Sequence, residues 1–117
     1  MIESIEQKGE CYETTMPLLK SMYHQFEELT KKKQEAAVSK RKIAIVNRLL
    51  DKVRLVLDDE DSIEFLDLLD ENEIPQNSDV TLILSQYVAA MAAFRKTYYK
   101  RDSSDNEYKW LIEKNDD

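Results

Sequence analysis

The chain has 117 residues, of which 42% are hydrophobic and 35% charged, and its net charge is −7. That length is one domain's worth, and the hydrophobic fraction is too high for a disordered chain. One Gly and two Pro exclude the turn-dense all-β folds and favour long helices with few connections.

Cys11 is the only cysteine, so an intramolecular disulfide and a cysteine-based zinc site are both excluded. The first eight residues carry acids and lack an apolar run, unlike a secretory signal. The longest uncharged stretch, 80–94, has 15 residues, fewer than the roughly 20 that span a bilayer. The expectation is a cytoplasmic protein with no membrane contact, occupying 1–117 as one helical domain.

The fold expectation is all-α: a helical bundle of about four helices, with one long helical hairpin as an alternative core. Gly9 marks 1–13 as a loose N-terminal arm. A first helix over 15–30 has Thr14 or Thr15 as cap and Pro17 in its first turn, where a missing N–H is harmless. Leu19, Met22, Tyr23, Phe26 and Leu29 form its apolar stripe. A second helix over 34–57 carries Ile43, Val46, Leu50, Val53 and Leu57 at alternating spacings of three and four, a two-heptad seam. No Gly or Pro separates these segments, so the spacing leaves one long or bent helix and two helices as alternatives.

A third helix is predicted over 62–71, with Asp61 and Glu64 at capping-box spacing. Pro75 then marks a loop. A fourth helix over 79–100, capped by Asn77 or Ser78, has the most regular stripe: Val80, Ile83, Leu84, Tyr87, Val88, Met91 and Phe94. Ser104 and Glu107 fit a capping box for a short terminal helix bearing Tyr108, Trp110 and Leu111. The acidic end, 112–117, reads as a frayed tail.

The charge is segregated. Residues 31–57 hold nine basic and two acidic side chains; residues 58–79 hold ten acidic and none basic. One reading packs the two blocks against each other as an antiparallel pair. A second brings the basic block of one copy against the acidic block of another copy or of a partner. A third places nucleic acid on the basic face.

Catalytic constellations are missing. His24 is the single histidine, and no glycine-rich phosphate loop occurs. The four acids 58–61 lack the Gly and the spaced ligands of a calcium loop. No enzyme activity, cofactor or metal is therefore expected. The functional expectation is a non-enzymatic protein–protein interaction module, a small helical adaptor, regulator or inhibitor that also self-associates as a homo-oligomer. Candidate partner-binding residues are Lys40, Arg41, Lys42 and Arg48 on the basic helix and Tyr98, Tyr99 and Trp110 at the aromatic end, since Tyr, Trp and Arg are enriched in binding hot spots. The seam Ile43, Val46, Leu50, Val53 and Leu57 is the candidate self-association surface. The alternative is a nucleic-acid-associated subunit using the basic helix 31–54.

Overall fold

The computed structural model describes residues 4–112. Among them are three α-helices, α1 (Ile5–Lys33), α2 (Lys40–Leu57) and α3 (Asn77–Tyr98), and an antiparallel hairpin of β1 (Tyr99–Asp102) and β2 (Glu107–Trp110). The molecule is elongated, 52 × 27 × 21 Å. The 29-residue α1 accounts for this, since 1.5 Å per residue makes it about 43 Å long. The other two helices both run antiparallel to α1. The N-terminal half of α1 meets the end of α2 through Lys8 and Asp58, and its C-terminal end meets the start of α3 through Thr30 and Thr81.

Three expectations are corrected and one open alternative is decided. From residue 5 onwards the N-terminal arm is instead the first turns of α1. Ser4 caps them by accepting from Gln7 N, while the Gln7 side chain accepts from Ser4 N. Gly9 does not loosen this helix. It is buried, and a Cβ there would sit 2.3 Å from Cγ of Trp110, so the missing side chain is the seat of the indole. Pro17 lies in the helix interior, and the Glu13 carbonyl loses its usual donor there.

Segments 15–30 and 34–57 belong to two helices. Residues 34–39 break the chain although their composition permits helix. The break is stabilised from outside: Val38 N donates to Pro75 O at 2.8 Å, Asn77 N to Ala36 O at 3.0 Å, and Asn77 Nδ2 to the Lys33 carbonyl at 2.9 Å. Ser39 then caps α2 by accepting from Lys42 N.

The third helix is replaced by an irregular connector. It has two short 3₁₀ turns, Asp61–Phe65 and Glu71–Glu73, with extended backbone at Leu66 and Asp70 on either side of the stretch between them. A helix here would stack Glu60 on Glu64, Glu64 on Asp67 and Asp67 on Glu71, with no cation to offset them. It would also need carbonyls that are already engaged. The Leu69 carbonyl accepts from Asn47 Nδ2 at 2.8 Å, and Leu69 N donates back to Asn47 Oδ1 at 2.9 Å. Arg54 Nη1 donates to Leu66 O, and Tyr87 Oη donates to Asp67 O at 2.9 Å.

The terminal helix is a hairpin. In its turn, Asp102 accepts from Ser104 N and Asp105 from Glu107 N, so the polar run shapes the turn rather than a helix cap. Asn106 takes the positive φ that this requires, 65°. The fold is therefore mostly helical but not a four-helix bundle. Of the predicted frayed tail, only Ile112 is described; 113–117 lie outside the described residues.

The core runs along the meeting line of the three helices. Leu19 and Phe26 of α1, the five seam residues of α2, and Val80, Leu84, Tyr87, Met91 and Phe94 of α3 are all buried. Trp110 closes one end. Its ring lies 5.2 Å from Tyr12, 5.6 Å from Phe94 and 5.0 Å from Tyr99, and its Nε1 donates to Glu13 at 3.0 Å. Beside it, buried Lys8 bridges Asp58 at 2.6 Å and Asp59 at 3.0 Å. Burial alone lowers the Lys8 pKa, but the two carboxylates overcome this and hold it above the usual lysine value.

Candidate interaction groove

On the flank of α1 and α2 facing away from the connector lies an open groove of about 690 Å³. Leu18, Met22, Phe26 and Leu29 line it from α1, and Ile45, Val46 and Leu49 from α2. Of these, Phe26 and Val46 are buried, and Met22, Leu29 and Leu49 are half-buried. Leu18 keeps 56% of its surface in water and Ile45 42%. The rim is asymmetric. Thr14, Ser21 and Gln25 border it on α1, whereas Lys42, Arg48 and Lys52 border it on α2. These three cations are exposed and lie on one side of the apolar floor.

The groove follows from sequence spacing. Ile45 and Leu49 stand one turn apart, about 100° around α2 from the seam centre, so α2 is apolar over a wider arc than its own core uses. Leu18, Met22 and Leu29 similarly extend the α1 stripe beyond the part that α3 covers. Sequence reasoning passed over Leu18, Ile45 and Leu49. Their signal was the surplus width of the two stripes.

The candidate residues are dispersed. Lys40, Arg41, Lys42 and Arg48 are all exposed on α2, but only Lys42 and Arg48 reach the groove. Tyr98 and Tyr99 are half-buried and Trp110 is buried. Tyr98 Oη donates to Glu60 at 2.9 Å; burial and this carboxylate raise its pKa. Arg95 lies 4.6 Å above the Tyr99 ring, and exposed Tyr108 stacks on Tyr99 at 5.8 Å. This aromatic end thus packs on itself, leaving Tyr108 as its outward ring. The seam Ile43, Val46, Leu50, Val53 and Leu57 is buried inside one chain, with at most 3% of any side chain exposed. The folded protein does not present it for self-association: α1 and α3 occupy the place expected of a second copy.

The two charge blocks are not held together by ion pairs. Among the described residues, the only cation bridging the 58–79 acids is Lys8, which belongs to neither block. The connector is instead fastened through its backbone by Asn47, Arg54 and Tyr87. Burial raises the Tyr87 pKa, and the Arg54 guanidinium offsets this only in part.

His24 pairs with Glu27 at 3.1 Å on the surface of α1, and the Cys11 thiol lies 3.6 Å from the Lys52 carbonyl. Among the described residues no set of three His, Cys, Asp or Glu side chains is placed to hold a metal, and no helix is long and apolar enough to cross a membrane. Comparison with protein-family models, with curated proteins and with solved structures found no match.

Proposed function

We propose that this protein is a non-enzymatic, cytoplasmic protein–protein interaction module whose α1/α2 groove receives an acidic protein segment carrying apolar anchors. One observation carries the reading: an apolar floor with Leu18 and Ile45 exposed, bordered along one side by Lys42, Arg48 and Lys52. An occupant would bury the floor, at roughly 25 cal/mol per Å² of apolar surface. Its acids would meet the cationic rim, which governs orientation and on-rate more than affinity. From Thr14 to Leu29 the groove is about 22 Å long, matching four turns of helix.

The same cations support the second reading, a nucleic-acid contact along the exposed side chains Lys40, Arg41, Lys42 and Arg48. Phosphate binding needs no apolar floor, and it weakens steeply with salt as counterions are released. The test is fluorescence anisotropy with two probes. One is a labelled 16-residue helical peptide with Leu at every third and fourth position and Glu elsewhere. The other is a labelled 20-mer oligonucleotide, single- and double-stranded. Peptide binding should be saturable, survive physiological salt and be lost in Leu49→Lys. Oligonucleotide binding with a steep salt slope, and no peptide binding, would overturn the proposal in favour of the second reading.

A further inference from the structure

The connector has an unusual surface. Within an acidic run that has no cation, it leaves Phe65 67% exposed, Ile74 65% and Leu68 41%. Its buried members, Leu66 and Leu69, face the helices, and the backbone around them is already fastened by Asn47, Arg54 and Tyr87. Ile74 is also held in the left-handed region, at φ 50°, ψ 68°. That conformation is a genuine outlier for a β-branched side chain and holds backbone strain. Among the described residues nothing offsets this through burial, because the side chain is 65% exposed. An acidic ridge with apolar knobs is the chemical complement of the cation-rimmed apolar groove.

The two surfaces lie on opposite flanks of α2. At 100° per residue, Asn47 and Arg54, which hold the connector, are about 180° around the helix from Ile45, which lines the groove. A chain therefore cannot lay its own connector into its own groove. We infer that the occupant of the groove is the connector of a second copy, with Phe65, Leu68 and Ile74 entering between α1 and α2 and the neighbouring acids facing Lys42, Arg48 and Lys52.

This rests on the groove reading above and supplies its partner. The contact joins unlike faces on opposite flanks, so each pair keeps one free groove and one free ridge, and association propagates head to tail instead of closing a two-fold dimer. The net charge of −7 opposes random approach of copies. The small exposed areas place the contact at the weak end of protein interfaces. Association is expected at roughly 0.01–1 mM chain.

The test is sedimentation velocity on the full chain across that range. The weight-average mass of the wild type should climb with concentration past two chains. Two variants divide the contact. Lys42→Glu/Arg48→Glu/Lys52→Glu spoils the groove. Phe65→Ser/Ile74→Asn spoils the ridge, and Asn tolerates the left-handed backbone, so this variant should fold at least as well as the wild type. Each variant alone should stay monomeric. Their equimolar mixture should form a species of two chains and no larger, because only one groove and one ridge remain intact.

A monomeric wild type up to 1 mM overturns the inference. If the acidic peptide still binds, the groove reading stands with a different partner; if it does not, both fall. Association that persists in either variant alone, or that ends in a wild-type dimer, also overturns the inference.

Discussion

The two flanks of α2 are built from the same helix yet have opposite fates. On one, Asn47 and Arg54 reach out and fasten a passing chain by its backbone. On the other, Ile45 and Leu49 face an open groove, with Arg48 and Lys52 standing unengaged by the acidic block. Charge alone does not close a surface here. Ten acids lie next in sequence to nine bases, and that proximity does not join them. Exposed ion pairs are worth about 0–1 kcal/mol, too little to order a 19-residue connector. Polar side chains that satisfy buried carbonyls do order it, because leaving such groups unpaired costs more than an ion pair gains.

If that contrast is right, the largest effect belongs to the covered flank. Arg54→Ala removes the donor to Leu66 O and to Tyr87 Oη, the latter at 3.3 Å, and should cost about 2–3 kcal/mol in chemical denaturation. Asn47→Ala, which loses both bonds to Leu69, should fall at or just below that. A loss under about 0.5 kcal/mol in both would show that the connector is held by something else.

Alkaline pH probes the same flank more gently. The folded pKa of Tyr87 is raised, first by burial, so its contribution is complete below about pH 10. It is lost as pH rises through the folded pKa, since the unfolded chain releases that proton earlier. Denaturation midpoints measured from pH 9 to 11.5 should fall more steeply in the wild type than in Tyr87→Phe. Lys8, Tyr12 and Tyr98 are also raised and add to the same alkaline loss in both proteins, so only the difference between the two reports on Tyr87.

The smallest effect belongs to the open flank. Reversing Lys42, Arg48 and Lys52 to Glu should leave stability within about 0.5 kcal/mol, because all three are exposed and removed from the connector. The same variant should lose the acidic peptide in the anisotropy assay. A marked loss of stability would place these cations among the structural contacts and erase the contrast.

Much of the frame was legible in the sequence. The stripe of α3 lies where its spacing put it, and the seam of α2 is buried as a unit. Most of what escaped was set by contacts distant in sequence. Asn77 caps α1 across 44 residues, so the break at 34–39 leaves no local mark. Gly9 reads as a helix breaker until Trp110, far along the chain, is laid on it. The connector carries the apolar content of a helix, but its repelling acids and the side chains of Asn47, Arg54 and Tyr87 win the backbone. At the hairpin, Ser104 and Glu107 have cap spacing, yet Asp102 and Asp105 claim the turn's N–H groups first. The basic half of the groove was visible as a charge block. Its apolar half was hidden because Ile45 and Leu49 are apolar like core residues and differ from them only in being incompletely covered.

On this reading α2 has one structural flank and one receptive flank. Chemical-shift mapping on the ¹⁵N- and methyl-labelled chain, titrated with the acidic peptide at physiological salt, tests it most directly. Shifts should concentrate at Leu18, Met22, Ile45, Leu49 and Arg48, with Asn47, Leu66 and Leu69 nearly silent. Shifts centred on the connector, or an unmoved groove at saturating peptide, would contradict it.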